Sequence, residues 1–316
     1  MIGMRLMLDV RRLRLLYELD RHGTIVSVAE ALHFAPSGVS QQLSQLETEA
    51  GVPLLERVGR NVRLTAQAKV LVEHAKKVFA QLEQAESDLA AAAHQPVGTI
   101  RIGAFQTVAE SIVPGALVAL RQHERLRVEV VEAKPSTALP ALLARDLDLL
   151  ITEQFPGHPF PVPAEIIRLP VADDPLYLAR PDHPASWDLA DARHDAWVME
   201  PEGSVGRRWA IARCRDAGFE PDIQFEAANL SIHVQLVRAG HASAFLPGLL
   251  WRTHRRPPSL RRLPGEKRSI SIALRAGSET HPAITAVCRE IQHSASAIPS
   301  NSRDGYTSAA NSDVIP

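Results

Sequence analysis

Residues 66–93 of this chain read AQAKVLVEHAKKVFAQLEQAESDLAAAA and contain neither glycine nor proline. A run of good helix formers this long predicts a single helix, which Pro96 and Gly98 would end. Its length, on the order of 40 Å at about 1.5 Å per residue, exceeds what a small N-terminal region can cover. The sequence therefore predicts separate folded units before and after a long connecting helix.

Apolar side chains mark one side of this predicted helix. They recur at steps of three and four, with His74 filling one gap: Leu71, Val78, Leu82, Ala85 and Leu89. Packing on its own domain is one explanation of this stripe. Pairing with a second copy fits better, because no other predicted element of the N-terminal unit is long enough to cover the helix. We therefore predict a homodimer formed through residues 66–94.

Composition limits the class of protein. The chain has 316 residues, enough for two or three domains, with 45% hydrophobic residues and a formal net charge of −1. This balance excludes a protein that is basic overall, but it is compatible with a small basic patch. Cys214 and Cys288 lie far apart and outside any metal-binding motif. We therefore expect no disulfide scaffold and no zinc site, and we interpret both cysteines as core residues.

The sequence also indicates a cellular compartment. The opening MIGMRLML is too short for the apolar part of a signal peptide, and no run approaches the roughly 18–20 apolar residues of a membrane span. We expect a cytoplasmic protein without membrane contact.

The sequence before the long helix predicts two helices joined by a short turn. Thr24 precedes the run IVSVAEAL, where its hydroxyl can cap a helix over roughly 25–32. After the turn HFA, Pro36 suits the first turn of a second helix. On that helix, Val39, Leu43 and Leu46 form an apolar stripe of the kind that packs against a core. The spacing is that of a helix-turn-helix.

The outer face of the second helix is polar but carries no charge. Its side chains are those of Ser37, Gln41, Ser44, Gln45 and Thr48, and Ser40 lies beside them. An ordinary surface helix is one explanation, although such a face usually carries charge. A helix that lies in the DNA major groove is the other, because glutamine pairs bidentately with adenine and serine bonds to either kind of base edge.

A basic hairpin is predicted next. The segment 53–65, PLLERVGRNVRLT, has the pattern of two short strands with Arg57, Arg60 and Arg63 near the tip, and Glu56 is its only acid. Simple solvation of these arginines is one explanation. Directly after a helix that can read bases, a wing that contacts phosphate explains them better.

The run AEALHFAPSGVSQQLSQLETEAGVPLLERVGRNVRLT resembles the N-terminal domain of LysR-type transcriptional regulators over about 55 residues. The chain departs from the family where Ala35-Pro36 replaces a frequent Ser-Gln, which removes a side-chain cap. Gln41 stands where relatives often have arginine, and Ala68 stands where they usually have glycine. The predicted DNA-binding residues are Thr24, Ser37, Ser40, Gln41, Ser44, Gln45, Arg57, Arg60 and Arg63.

From residue 98 onwards, short apolar strands alternate with helices, which indicates an α/β unit. The strands are GTIRIGA, LRVEVVEA, LDLLI, PLYLAR, ASAFLP and SISIALR. In open α/β sheets, ligands bind beyond the carboxyl ends of the strands. Short polar residues stand at four such junctions. Plain helix caps explain each of them singly, and together they suggest a pocket for a small carboxylate or similar metabolite.

The unit over about 98–293 resembles the two-lobed, periplasmic-binding-protein-like effector domain of the same family. The resemblance implies a pocket between the lobes, and the predicted effector-binding residues are Gln106, Thr107, Ser136, Thr137, Thr152, Ser204, Asn229, Ser231 and Phe245. The predicted fold is thus multi-domain α/β, with these parts: a winged helix-turn-helix at 8–65, a linker helix at 66–94, an effector domain at 97–295 and a disordered tail at 296–316. Lobe I comprises about 97–161 and 268–295, and lobe II comprises about 162–267.

Three other functions fit the sequence less well. An enzyme is disfavoured because none of the motifs GxSxG, HExxH, GxxxxGK[ST] and GxGxxG occurs. A solute-binding protein would need export, and an architectural DNA-binding protein would not need the α/β unit. We therefore predict a sequence-specific regulator that binds two-fold-related DNA half-sites as a homodimer or homotetramer. It would respond to a small effector and contact RNA polymerase, and we expect neither a cofactor nor a metal.

Overall fold

The computed structural model describes residues 7–32, 34–59, 61–92, 95–159, 162–181, 188–257 and 259–297. Arg60 of the predicted wing and nearly all of the predicted tail fall outside these ranges, and only the backbone of Ser136 is described. Among the described residues, no helix is long and apolar enough to cross a membrane.

In the described part of the N-terminal unit, three helices precede a hairpin. They are α1 (Val10–His22), α2 (Ile25–Ala31), α3 (Pro36–Ala50), β1 (Leu55–Val58) and β2 (Asn61–Leu64). Thr24 caps α2 as predicted, since its hydroxyl accepts a hydrogen bond from the Ser27 N–H. Helix α3 begins without a side-chain cap, because Ala35 has no acceptor and Pro36 occupies the first turn.

The predicted apolar stripe of α3 lies in the N-terminal core. Val39, Leu43 and Leu46 are buried there together with residues of α1 and α2. Glu47 fixes the hairpin against this helix, because its Oε1 accepts hydrogen bonds from the N–H groups of Leu54 and Leu55 at 2.8 and 2.9 Å. The outer face of α3 and the hairpin are thereby held in one rigid arrangement.

The predicted long helix is α4 (Ala66–Ala92). Its first turns pack Ala68, Val72 and Ala75 into the N-terminal core. The predicted apolar stripe farther along the helix is open to solvent in the single chain, with Val78, Leu82 and Leu89 exposed by 37%, 40% and 75%.

Helix α4 is joined to the C-terminal unit by buried charges. Glu83 is buried and accepts hydrogen bonds from Arg275 and Arg145, at 3.0 and 2.6 Å for the shortest pairs. Gly277 allows this close approach: its φ is +95°, and a Cβ at this position would lie 2.5 Å from the Ala80 carbonyl oxygen. The helix therefore has one face in the first lobe and another in solvent.

Among the described residues after α4 there are eight strands and six α-helices. The strands are β3 (Gly98–Ala104), β4 (Leu126–Glu132), β5 (Leu149–Gln154), β6 (Ile166–Ala179), β7 (Ala196–Met199), β8 (Asp222–Glu226), β9 (Ala244–Pro247) and β10 (Leu260–Arg275). The helices are α5 (Gln106–Ser111), α6 (Val113–Leu120), α7 (Pro135–Leu143), α8 (Val205–Asp216), α9 (Leu230–Arg238) and α10 (Pro282–Ser296). Short 3-10 helices span Leu189–His194 and Gly248–Arg252.

Two long antiparallel strands connect the lobes. The six-stranded sheet has the order β4-β3-β5-β10-β6-β9, and β7 and β8 form a separate parallel pair. Strand β5 pairs with the last part of β10, whereas β9 pairs with the last part of β6. Because β6 and β10 run through both halves, they form the hinge between lobe I and lobe II.

Each lobe has its own apolar core. In lobe I, β3, β5 and β10 pack against α6 and α10. In lobe II, one core surrounds Trp197 and Trp209 and another lies beneath α9. Because the two lobes have separate cores and share a pair of strands, the cleft between the lobes can change shape.

Candidate DNA-binding face and effector cleft

The neutral outer face of α3 is exposed along its length. Ser37, Ser40, Gln41, Ser44 and Gln45 all project into solvent, while the opposite stripe is buried. Their neighbour Gln42 is engaged elsewhere, because its Oε1 accepts a hydrogen bond from Arg12 Nε at 2.8 Å. The face thus offers several short donors and acceptors to an external partner.

The hairpin presents its arginines beside this face. Arg57 and Arg63 are exposed on neighbouring strands, where Arg63 stands opposite Glu56. Arg63 Nε donates to Glu56 Oε1 at 2.6 Å, in a pair whose side chains are 72% and 47% exposed. An exposed ion pair contributes at most about 1 kcal/mol, so this contact can be exchanged for another anion. Of the two arginines, Arg57 has less of its charge offset by a nearby carboxylate.

Thr24 lies at the start of α2 and is partly buried. Its Oγ1 accepts from the Ser27 N–H at 3.1 Å and also lies 2.8 Å from Ser27 Oγ. The hydroxyl is therefore already used as a helix cap.

Gln106, Asn229 and Ser231, three of the predicted effector-binding residues, meet across the cleft. Gln106, on α5 of lobe I, donates its Nε2 to Asn229 Oδ1 at 2.9 Å and to Ser231 Oγ at 3.3 Å. Its Oε1 accepts from the Leu230 N–H at 3.0 Å. One amide side chain thus holds the start of α9, in lobe II, against lobe I.

The other predicted effector-binding residues have different surroundings. Thr107 is buried, and its Oγ1 accepts from Arg268 Nη2 at 2.7 Å. Thr152 is fully buried in the sheet and donates to the Ser271 carbonyl oxygen at 3.2 Å. Thr137 is exposed and donates to the Lys134 carbonyl oxygen at the start of α7. The structure therefore does not gather all the predicted residues around one space.

A buried ionic cluster lies on the three neighbouring strands β5, β10 and β6. Arg268, on β10, pairs with Asp174 on β6 at 2.7 Å and with Glu153 on β5 at 2.6 Å. Its guanidinium also lies over the Phe105 ring, 5.2 Å from the centroid. Burial lowers the pKa of Arg268, but the neighbouring carboxylates outweigh this, and the net pKa is raised. Arg268 is therefore a permanent cation with its partners already in place.

A third carboxyl group, that of Glu200, lies at the start of α8. Ser204 caps this helix and hydrogen-bonds to the Glu200 side chain. Gly206 makes room for it, since a Cβ there would lie 2.2 Å from Glu200 Oε1. Burial raises the pKa of Glu200 to about 7, and the negative charge of Glu153 acts in the same direction. Glu200 is thus a carboxyl group that titrates near neutral pH.

A small cavity of about 30 Å³ lies beside these groups. Phe155, Trp209 and Phe245 line it. The centroid of the Trp209 ring lies 5.6 Å from that of Phe155 and 5.1 Å from that of Phe245. His233 also lines it; burial lowers the pKa of this histidine. His233 Nε2 lies 2.8 Å from the Ala227 carbonyl oxygen, to which it must donate. Its Nδ1 is then an acceptor, and it is buried without a hydrogen-bond partner among the described residues.

Comparison with protein families decides the class. Residues 10–69 match the bacterial regulatory helix-turn-helix protein, lysR family, and residues 93–296 match the LysR substrate binding domain. The chain belongs to the LysR family. It is accordingly a DNA-binding transcriptional regulator with an effector-binding domain, as the sequence predicted.

Other LysR-type regulators are similar over most of their length. The chain is 30% identical to the transcriptional dual regulator GltC of Bacillus subtilis (strain 168), covering 76% of this chain and 81% of GltC. It is 28% identical to the DNA-binding transcriptional dual regulator OxyR of Escherichia coli (strain K12), covering 86% and 90%. These relatives are regulators of transcription.

Solved LysR-type structures share the fold. Full-length OxyR from Pseudomonas aeruginosa, in a cysteine-to-aspartate variant, has a TM-score of 0.60 at 23% identity and covers 90% of this chain and 95% of its own. Full-length CbnR complexed with its target DNA has a TM-score of 0.51 at 24% identity, with coverage of 91% and 99%. The predicted arrangement of a helix-turn-helix, a long helix and a two-lobed α/β unit is confirmed.

Sequence reasoning missed the charged part of this LysR-type cleft. Glu153, Asp174 and Arg268 lie on β5, β6 and β10, Glu200 directly follows β7, and His233 lies inside the apolar helix α9. Asp174 and Arg268 stand next to the exposed Asp173 and Lys267, so the surrounding sequence does not mark them as buried. The two cysteines are buried and free, as interpreted, and burial raises the pKa of each thiol to about 12.

Proposed function

We propose that the outer face of α3 enters the DNA major groove and reads bases through Ser37, Ser40, Gln41, Ser44 and Gln45. The observation that carries this proposal is the exposure of a long, uncharged polar face opposite a fully buried stripe. Short neutral side chains can approach base edges closely, and glutamine can make a bidentate contact with adenine. Thr24 belongs to the same proposed surface, at the start of α2.

The wing supplies contacts that do not depend on sequence. Arg57 and Arg63 are exposed cations on the hairpin that follows α3, and Arg60 lies between them in the sequence. Contacts from arginine to phosphate release counterions and so strengthen binding to any DNA. Arg57 has the larger expected share, since Glu56 offsets the charge of Arg63.

Two chains associate through α4 in this proposal. The exposed stripe of Val78, Leu82 and Leu89 gives each chain an apolar surface that a second α4 can cover. A two-fold dimer matches two-fold-related DNA half-sites, and a tetramer arises when effector domains also associate. The proposed division remains 8–65, 66–94 and 97–295, with lobes split as the sequence suggested.

A small effector binds between the two lobes and changes their relation. The Gln106 contacts to Asn229 and Ser231 support this, because a ligand that separates the lobes must break them. The effector shifts DNA binding only if its affinity differs between the two lobe arrangements. Thr107, Ser136, Thr137, Thr152, Ser204 and Phe245 stay proposed effector-binding residues, and a carboxylate stays the sequence-based prediction of ligand class.

Three further parts of the proposal concern the cellular setting. The protein works in the cytoplasm, where bacterial DNA is. It changes transcription by contact with RNA polymerase. It has no catalytic activity of its own, which agrees with relatives that are regulators.

Selection of genomic DNA tests the proposal. Full-length protein is mixed with fragmented DNA, bound fragments are sequenced, and affinity for the best fragment and a scrambled copy is measured over a salt series. We expect an enriched motif with two-fold symmetry and a large affinity gap over the scrambled copy. Salt-sensitive binding without a sequence preference would instead indicate an architectural protein, and absence of binding at low salt would refute the role of α3.

A further inference from the structure

Carboxyl groups surround the guanidinium of Arg268 in the interlobe cleft: those of Glu153 and Asp174 pair with it, and that of Glu200 lies nearby. Arg207, which also lines the cavity, is paired with Glu226 at 2.6 Å. Arg268 donates Nε to Asp174, Nη1 to Glu153 and Nη2 to Thr107, at 2.9, 2.6 and 2.7 Å. A ligand carboxylate would reach Arg268 only by displacing one of these internal partners, and the carboxyl groups that remain would repel it.

The helix end that would suit an anion is also occupied. The N-terminus of α8 faces the cleft, and a helix N-terminus favours negative charge. The carboxyl group of Glu200 already lies there, hydrogen-bonded to Ser204 and packed against Gly206. The protein's own side chain thus takes the place that a carboxylate effector would need.

The remaining surface of the cavity suits a cation. Phe155, Trp209 and Phe245 provide aromatic walls, and π faces attract ammonium and guanidinium groups. His233 Nδ1 is a buried acceptor without a partner among the residues described, so it can receive an N–H donor. Acceptors and aromatic rings around one space are the arrangement that binds organic cations.

We propose that the effector carries an ammonium or guanidinium group, which binds to the Glu200 carboxylate against the aromatic wall formed by Phe155 and Trp209. This assignment rests on the proposed function, since it takes the interlobe cleft as the effector site, and it replaces the carboxylate predicted from sequence. Glu153 and Asp174 contribute through the negative potential that remains after each pairs with Arg268.

Binding must open the cleft. A cavity of about 30 Å³ holds about one water molecule, well below the several hundred Å³ of ordinary ligand sites. An organic cation therefore separates α8 and α9 from lobe I and breaks the contacts of Gln106. The same movement that admits the ligand is the one that changes the relation of the lobes.

Binding is also linked to pH through Glu200. Several charged or titratable groups face it or its backbone: Glu153 from β5, Arg268 from β10, Lys134 at the start of α7, Arg207 of α8 and His233 across the cavity. Burial and Glu153 raise the pKa of Glu200 to about 7, so the group is neutral below that pH and anionic above it. Affinity for a cation should rise as pH increases through 7.

Matched probes of opposite charge test the proposal on the full-length protein. Benzylamine is compared with benzoate, and 1,4-diaminobutane with succinate, at concentrations up to tens of millimolar. Binding is followed by tryptophan fluorescence, because Trp209 lines the cavity, and by the rise in melting temperature that ligand binding produces. The test variant is Glu200→Gln. Glu202→Gln is the control, since Glu202 is 88% exposed and only two residues away.

We expect both amines to bind and both carboxylates to fail. Glu200→Gln should weaken amine binding at least ten-fold at pH 8 and remove its rise through pH 7, whereas Glu202→Gln should leave both unchanged. Tighter binding of the carboxylates, binding of neither amine, or an equal effect of the two substitutions would overturn the proposal. If the amines bind at Glu200 but leave DNA affinity unaltered, the ligand class stands and the proposed regulatory coupling fails.

Discussion

The outer face of α3 and the interlobe cleft are both polar, but they differ in whether their polar groups are exposed to solvent or bonded to one another. On α3, neutral hydroxyl and amide groups stand in solvent on a rigid helix. In the cleft, charged groups are buried and bonded to one another around Arg268, and Gln106 connects α5 of lobe I to the start of α9 in lobe II. One site is open and needs no rearrangement, whereas the other is filled by its own side chains.

This difference explains which site can carry a signal. In the proposed DNA complex, a base edge would displace only water from α3, so the helix would keep its shape on binding. A ligand of the cleft must break internal hydrogen bonds, so its binding energy is coupled to movement of the lobes. Because a ligand shifts an equilibrium only through different affinity for two states, the closed cleft is the part of the molecule suited to regulation.

The largest effect is expected where the buried cluster loses its cation. Arg268→Ala leaves Asp174 and Glu153 buried without their partner, which should lower the free energy of unfolding by about 3–5 kcal/mol. Lys267 directly precedes Arg268 and forms only an exposed ion pair with Asp173. Lys267→Ala should therefore lower the free energy of unfolding by less than about 1 kcal/mol. Urea unfolding of the full-length variants measures both. Equal losses would contradict the difference between buried and exposed charge.

The second effect concerns Glu200 and depends on pH. Since the folded state raises its pKa to about 7, folding favours the protonated form, and stability falls as pH rises towards 7. Glu200→Gln removes this loss. As pH rises from 5 to 8, the free energy of unfolding of the variant should therefore increase relative to that of the wild type by up to about 3 kcal/mol. Thermal unfolding at the two pH values measures the gain, and a difference that does not change with pH would refute it.

The predictability of the two sites also differs, for physical reasons. The α3 face follows from local periodicity, because a helix with a buried stripe at Val39, Leu43 and Leu46 must turn its other residues outward. The cleft depends on strands that meet only after folding: Arg268, Asp174 and Glu153 lie far apart in the sequence.

The strands also show how far local sequence patterns can predict structure. Expected strands such as GTIRIGA agree closely with β3, whereas PLYLAR and SISIALR are only the last parts of β6 and β10. The earlier half of β10 is rich in charge, and the earlier halves of both strands contain a proline, Pro170 or Pro264, which is unusual inside a strand. Pairing between the two long strands stabilises them instead.

A third effect falls on DNA selectivity without a change in stability. Gln41→Ala should reduce discrimination at one base position by about ten-fold, the size of one lost bidentate contact. Gln42→Ala serves as the control, since Gln42 contacts Arg12. Affinities for the selected site and its single-base variants give the result. If Gln41→Ala weakens binding to every sequence alike, Gln41 positions the helix and does not read a base.

The smallest effect is expected at the wing. Arg57→Ala should flatten the slope of log affinity against log salt by about one, because one phosphate contact is lost. Arg63→Ala should flatten it less, since Glu56 already offsets that charge. Affinity measured at several salt concentrations compares them, and a slope that Arg57→Ala leaves unaltered would remove Arg57 from the phosphate contacts.

The most direct test compares affinity for the selected DNA site with affinity for its scrambled copy, at one salt concentration, in the wild type and in a variant with Ser40→Ala, Gln41→Ala and Ser44→Ala. All three side chains are exposed, so the fold should be kept. We expect the ratio of the two affinities to fall towards one while affinity for scrambled DNA stays within about two-fold, because phosphate contacts remain. An unchanged ratio, or an equal fall in both affinities, would contradict the role of α3 as the element that reads sequence.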